Sequence, residues 1–339
     1  MKVIHLAPWY LPRIGGVETH VHSIAQEMKK DGHRVQVVTG QHQPGHRLEH
    51  TEQGIEVRRV PYQLFRTGSS IGEKSRFKLG LWQWILDHRH LFAQADVVHV
   101  HDVFWWLLPI FPQIASRTFV TFHGWEGVYP VPASNKLVRW AAAQLARRSI
   151  HVGDWISEFY WDRPDAVTYG APTIDRQPYG VSTRLGQYVF VGRLVKENEL
   201  ELYLKLMTSI KKDRPGVSVT WVGDGPFRPE CERLGSVTGW SDDIAPQLAR
   251  AEVVLASSYL SIWQALKLGK PVVSLYSQPL KRRYLETFPG YRYLVTGSRV
   301  ADVRQQLSRL QINSATIKAF TRGFSWRQVA ETYYQLWGW

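Results

Sequence analysis

Residues 13–28 read RIGGVETHVHSIAQEM and follow directly on the apolar run VIHLAP at residues 3–8. A short apolar run, then Gly15 and Gly16, then aliphatic residues at helical spacing, is a strand handing over to a helix. Two physical reasons would place glycines there. A tight turn needs positive φ, which glycine adopts without steric cost. Alternatively, an anion approaches the N–H groups and positive dipole end of the helix, where a Cβ would stand in its way. The turn alone leaves both readings open.

The same alternation continues along the chain. β-branched runs recur at residues 2–7 (KVIHLA), 34–39 (RVQVVT), 96–100 (DVVHV), 117–122 (RTFVTF), 149–152 (SIHV), 188–192 (YVFVG), 217–223 (VSVTWVG), 252–257 (EVVLAS) and 271–276 (PVVSLY). Helical patterns lie between them, such as Val17–Lys30 and Leu137–Arg148. Strands alternating with helices predict βαβ units and parallel sheets covered on both faces. The fold class is therefore α/β, with two doubly wound, Rossmann-like domains. The first is expected over residues 1–170 and the second over 188–315. Between them the Pro-, Gly- and polar-rich stretch GAPTIDRQPYGVSTRLGQ at residues 170–187 reads as a linker, placed at 171–187. Residues 316–339 end in WRQVAETYYQLWGW, a helical pattern with an aromatic face. Two such domains predict a cleft, with ligands at the carboxyl ends of the strands.

Composition narrows the chemistry. The chain has 339 residues, of which 44% are hydrophobic, enough for sizeable cores. Cys231 is the one cysteine, so no internal disulfide forms, which fits a reducing compartment. The N-terminus reads as a strand rather than a signal peptide, and no apolar run reaches the ~18–20 residues needed to span a bilayer. These features lead to an expected cytoplasmic location, either soluble or at a membrane surface. The formal net charge is +13 and there are 15 tryptophans. Such a balance attracts phosphorylated small molecules, anionic lipid or nucleic acid. No nucleic-acid recognition motif accompanies it, so no nucleic-acid partner is expected. The basic, amphipathic stretch Lys74–Phe92 carries Phe77, Leu81, Trp84 and Ile85 near one face. It is either a helix packed on its own sheet or one that touches anionic lipid.

Several strand ends carry candidate chemistry. Gly192 and Arg193 follow YVFV, with Lys196 three residues on. That arrangement is either a diphosphate clamp, with a planar fork and a point charge, or a solvated basic loop. WVGDGPF places Gly223 in a glycine-rich turn, and the helical stretch beginning near Ser261 is another candidate anion or ribose site. His99, His101 and His123 cluster around two strand ends. Their spacing matches no compact metal signature, and a polar role is favoured over ligation. Neither a G-x-S-x-G elbow nor a P-loop occurs.

The ordered set of motifs resembles the retaining GT-B glycosyltransferases of glycosyltransferase family 4. It comprises GGVETHVHSIAQEMKKDGHRVQVVT, DVVHVHD, TFHG, YVFVGRLVKE, WVGDGPF, VTGWSDDIAPQLARAEVVLASS, QALKLGKPVVS and FSWRQVAETYYQLW, and covers nearly the whole chain. The resemblance implies a nucleotide-sugar donor held mainly by the second domain, and a glycan or lipid-linked acceptor held by the first. The last helix would cross back onto the first domain. By the same resemblance His123, Arg193 and Lys196 serve catalysis, with His123 on the transferred sugar and Arg193 on the leaving phosphates. Gly15, Gly16, Gly192, Gly223, Ser261 and Gln264 line the donor, and His101 and Trp125 lie on the acceptor side. Neither a metal nor another cofactor is then required, because Arg and Lys neutralise the leaving group. The chain departs from the family in three places. Gln264 stands where the second of two glutamates is usual, the first is missing from the shortened SSYLSIW, and Asn198–Glu199 replaces a Lys–Gly pair. The expected function is hexose transfer from a UDP- or GDP-sugar to an envelope acceptor. The alternative is a scaffold that binds nucleotide-sugar or glycan without efficient transfer.

Overall fold

In the computed structural model, which describes residues 1–64, 71–124, 126–174, 183–241, 243–311 and 313–339, the apolar runs form the inner strands of two sheets. The chain divides into a first unit, Met1–Thr168 with Trp326–Trp339, and a second, Tyr169–Ser325.

The first unit holds β1 (Lys2–Leu6), β2 (Arg34–Gly40), β3 (Glu49–Glu52), β4 (Ile55–Val60), β5 (Val97–His101), β6 (Thr118–Phe122), β7 (Ser149–Val152) and β8 (Ala166–Thr168). Their order is β3-β4-β2-β1-β5-β6-β7-β8. Every neighbouring pair is parallel except the β3–β4 hairpin. Inner strands are covered on both faces, so β5 and β6 are buried along their whole length and read as continuous rather than alternating runs. β3 carries the sequence EHTE at the sheet's edge, where charge discourages pairing with another chain.

The last helix, Trp326–Trp337, belongs to this unit. Val329, Ala330, Tyr333, Leu336 and Trp337 are buried at helical spacing, and the helix lies against Gly16–Lys30 and β8. The helix Ser314–Thr321 instead belongs to the second unit, where Phe320 stacks on Trp263 and Ser314 and Lys318 crowd Gly269. The returning segment thus begins at Trp326 rather than at residue 316.

The stretch Lys74–Phe92 is not one helix but two, Ile71–Asp87 and Arg89–Ala93, parted at His88, whose ring stacks on Trp84 at 4.0 Å. Leu81, Trp84 and Ile85 of the apolar face are buried in the unit's own interior, and Phe77 is half-buried. By contrast, helix Ala133–Leu145 leaves Leu137, Val138, Trp140 and Leu145 exposed. Among the described residues no helix is long and apolar enough to cross a membrane.

The second unit holds β9 (Gln187–Val191), β10 (Ser218–Val222), β11 (Ser236–Gly239), β12 (Val253–Ala256), β13 (Val272–Leu275) and β14 (Leu294–Gly297). All pairs are parallel, in the order β11-β10-β9-β12-β13-β14. Phe190, Tyr203 and Trp221 pack ring to ring at the centre of its core.

Candidate functional site

At the carboxyl end of β1, Gly15 is the N-cap of helix Gly16–Lys30, with φ −169° and ψ 179°. That is extended backbone open to any residue, and Gly16 does not have positive φ either. The tight-turn reason for the glycine pair therefore fails. A Cβ on Gly16 would meet nothing within 4 Å, so the helix start is open there. A Cβ on Gly15 would lie 2.4 Å from Glu18 Oε2. Glu18 is buried in the first turn and paired with Arg13 at 3.5 Å. Its carboxylate is the anion that the helix dipole favours at this end.

The ends of β5 and β6 are joined through Asp102. Its N–H donates to Thr121 O at 3.0 Å, and its Oδ1 accepts from the N–H of His123 at 3.0 Å. Asp102 sits at φ 63°, in the left-handed region that short polar side chains tolerate best after glycine. Burial pushes its carboxyl up to about 6, against the pull of Arg139. His123 Nε2 is 2.8 Å from His101 Nδ1, and His20 stands edge-on to the His123 ring at 4.8 Å. Burial and Arg139 push the His123 imidazole down to about 3, so it is neutral at neutral pH. A neutral imidazole can accept a hydrogen bond from a sugar hydroxyl, which an imidazolium cannot.

His101, expected on the acceptor side, is fully buried. Both its ring nitrogens are engaged, one by His5 at 3.0 Å and one by His123 at 2.8 Å, so it supports His123 rather than meeting a ligand. Trp125 lies outside the described residues. Sequence reasoning missed His5, His20, Asp102, Tyr333 and Trp337, all of which gather here. The signal for one of them was present: His5 interrupts an apolar strand at a position that the sheet buries. Among the described residues no group of three or more His, Cys, Asp or Glu side chains is arranged to hold a metal, and the histidines bond one another instead.

In the second unit, Gly192 (φ 150°) and Gly223 (φ 144°) do need glycine. The loops after β9 and β10 lie backbone against backbone, with Gly192 N donating to Val222 O at 3.0 Å and Leu194 N to Asp224 O at 2.9 Å. A Cβ on Gly223 would stand 2.0 Å from Gly192 O. Positive φ at Gly192, and positive φ with close backbone packing at Gly223, thus account for both glycines. The packed loop presents Arg193 and Lys196, both exposed and neither in an ion pair among the described residues. Asn198 Nδ2 donates to Arg193 O at 2.8 Å and fixes the loop's return.

Glu199, at the family's glycine position, keeps φ 63° and is buried. Its Oε1 accepts from the N–H of Ser277 at 3.1 Å and from its hydroxyl at 3.0 Å, tying the β13 loop down. Lys281 turns inward, donating to Ser257 O and lying 4.2 Å over the Tyr284 ring. Burial brings its ammonium down to about 8. Its neighbours Arg282 and Arg283 both pair with Glu286.

Ser261 and Gln264 also point inward. Ser261 Oγ is 2.8 Å from Ser258 Oγ and donates to Ser258 O at 3.0 Å. Gln264 is 3% exposed, its Oε1 accepts from Thr173 N and Ile174 N at 3.1 and 3.0 Å, and its Nε2 donates to Thr173 Oγ1. It clasps the connecting segment, a task that needs a donor and an acceptor on one side chain. In this arrangement it is not available to a ribose.

Two family models match the chain: Glycosyltransferase Family 4 over residues 14–162 and Glycosyl transferases group 1 over residues 186–317. Comparison with curated proteins gives no match. Among solved structures, sucrose-phosphate synthase from Thermosynechococcus elongatus aligns at 15% identity and TM-score 0.70, covering 99% of this chain and 98% of its own. Anabaena HepE in complex with UDP and glucose aligns at 16% identity and TM-score 0.65, covering 98% and 99%. WaaG, a glycosyltransferase involved in lipopolysaccharide biosynthesis, aligns at 15% identity and TM-score 0.58, covering 97% and 95%. With both halves matched in sequence and the whole length matched in fold, the chain belongs to the GT-B glycosyltransferases of the family 4 type.

Proposed function

We propose that the chain is a retaining, metal-independent hexosyltransferase that moves a sugar from a UDP- or GDP-sugar to a glycan or lipid-linked envelope acceptor. The observation that carries this reading is the Arg193–Lys196 loop: two exposed cations without ion-pair partners among the described residues, on a backbone held rigid by the glycine contacts behind it. Glycosyl transfer builds positive charge on the sugar and negative charge on the departing diphosphate. Fixed cations aimed at that diphosphate stabilise the transition state more than the ground state. His123, a neutral imidazole, hydrogen-bonds a hydroxyl of the transferred sugar. The open helix start at Gly16 offers N–H groups to phosphate. UDP and glucose bound to HepE favour a UDP-hexose, and the role of WaaG favours an envelope acceptor.

A specific observation supports the second reading, a binding scaffold with poor transfer. Gln264 is committed to Thr173 and Ile174, and no glutamate takes its place on that helix. Turnover with a panel of nucleotide-sugars separates the two. Transfer that survives chelating agents, with a retained anomeric configuration in the product, supports the enzyme. Tight nucleotide binding without turnover supports the scaffold.

A further inference from the structure

A set of buried polar groups in the first unit forms two hydrogen-bonded rows, and each row ends on a group with no choice of role. In the first row, His123 Nε2 meets His101 Nδ1 at 2.8 Å and His101 Nε2 meets His5 Nδ1 at 3.0 Å. His5 Nε2 then meets Met28 Sδ at 3.3 Å. A thioether accepts hydrogen bonds and never donates. His5 must therefore carry its proton on Nε2, which leaves Nδ1 as the acceptor for His101. The same logic passes to His101 and then to His123. The reverse order would set a lone pair of His5 against the sulfur, two acceptors facing each other in a site without water exposure.

In the second row, Trp337 Nε1 donates to His99 Nδ1 at 3.1 Å, and His99 Nε2 meets Thr121 Oγ1 at 2.7 Å. Thr121 Oγ1 meets Tyr333 OH at 3.0 Å, which meets His20 Nε2 at 2.9 Å. An indole donates and never accepts. His99 is fixed with its proton on Nε2. The order that wastes no buried hydroxyl proton runs on through Thr121 and Tyr333 to a His20 that accepts at Nε2 and is protonated on Nδ1.

We infer that Met28, His5 and His101 are positioning residues that hold His123 as its Nε2–H tautomer, leaving Nδ1 an obligate acceptor for a hydroxyl of the transferred sugar. The sugar's part rests on the function proposed above, whereas the tautomer order does not. Met28 lies on helix Gly16–Lys30 and never approaches the reacting atoms through a bond of its own; it acts through three imidazoles. The buried imidazoles of the row are neutral, as the order requires, because burial disfavours their charged forms.

Long-range 1H–15N correlation spectra of the unliganded full chain at neutral pH read the tautomers directly. His5, His99, His101 and His123 should show a protonated Nε2 and a bare Nδ1, and His20 the opposite. Met28→Leu keeps the volume and removes the acceptor. It should leave His5, His101 and His123 in mixed tautomers, with His99 and His20 unchanged. Trp337→Phe should disturb His99 and His20 and spare His123. If the two orders become equally populated in Met28→Leu, the productive form is halved, and the apparent donor affinity falls about twofold. A wild-type His123 protonated on Nδ1, or doubly protonated, overturns the inference. So does a Met28→Leu spectrum identical to wild type. The wild-type spectrum decides even if a variant fails to fold. Predicted tautomers in a chain that shows no turnover would leave the inference standing and sink the proposed activity, and the converse result would separate them the other way.

Discussion

The carboxyl ends of the two sheets handle polar chemistry in opposite ways. In the first unit the functional groups are drawn inside: His5, His20, His99 and His101 are buried and bond one another or Thr121 and Tyr333. In the second, the cations Arg193 and Lys196 stand outside on a loop whose backbone is locked by Gly192, Gly223 and Gly225. A buried row fixes which atom carries a proton, because each group has one partner and water cannot substitute. An exposed cation fixes charge, which acts through distance and tolerates imprecision in the side chain.

The largest expected effect tests the first half of this contrast. The imidazoles of His5 and His123 are pushed down to about 3 from 6.5, and His20, His99 and His101 well below 6.5, chiefly by burial. Each binds a proton more weakly in the folded than in the unfolded chain, so acid favours unfolding. Stability should rise with pH between about 3 and 6.5 and level off above, with a slope of up to ~1.4 kcal/mol per pH unit for each imidazole. Asp102, raised from 3.8 to about 6, opposes this between those two values, but one carboxyl is outnumbered. Denaturant midpoints measured from pH 4 to 7 check the slope; a flat or falling profile would mean the row is hydrated. In the second unit the lowered ammonium of Lys281 acts in another window, adding stability as pH rises above about 8 towards 10.5.

Gly223→Ala tests the second half. A Cβ there would stand 2.0 Å from a backbone oxygen at φ 144°, so the loop must part. A loss of about 3 kcal/mol or more is expected in chemical denaturation. Gly16→Ala meets nothing within 4 Å and should change stability by no more than ~0.5 kcal/mol, while weakening donor binding. Equal stabilities for the two variants would erase the distinction drawn between these glycines.

Gln264→Glu restores the family's residue and comes next. It removes the amide that donates to Thr173 and buries a carboxylate, so a loss of about 1–3 kcal/mol is expected. Higher transfer activity in that variant, with no fall in Tm, would show that the clasp is dispensable. Arg193→Ala should leave Tm within about 1 °C, while kcat/KM falls by roughly 10- to 100-fold through the loss of charge-assisted bonds worth about 1.5–3 kcal/mol. Unchanged kinetics would remove the diphosphate role of that loop.

Much of the fold was legible because it rests on short-range rules. The continuous apolar runs at residues 97–101 and 118–122 are strands buried on both faces, and Val17–Lys30 is helical from Gly16 onward. Five strands escaped the reading: β3 (EHTE), β8, β11 and β14 are three or four residues long, and β4 (IEVRRV) alternates its apolar residues with charged ones instead of forming a continuous run. The helix expected over Leu137–Arg148 runs Ala133–Leu145, since its start follows Pro132 rather than the first aliphatic residue. The basic helix was misread as one element because periodicity does not register the break at His88.

At the candidate site the sequence by itself determined which chemical groups stand at strand ends: Gly16, His123, Arg193 and Lys196 all follow β-branched runs. The purpose of each group was decided by the tertiary structure. His101 and Gln264 read as ligand contacts, yet each spends its polar atoms on protein partners, and Tyr333 reaches Thr121 across 212 residues. Local pattern encodes φ, ψ and burial because these depend on neighbours in the chain. Hydrogen-bond partnership depends on which distant groups are brought within 3 Å, and only the folded chain selects them.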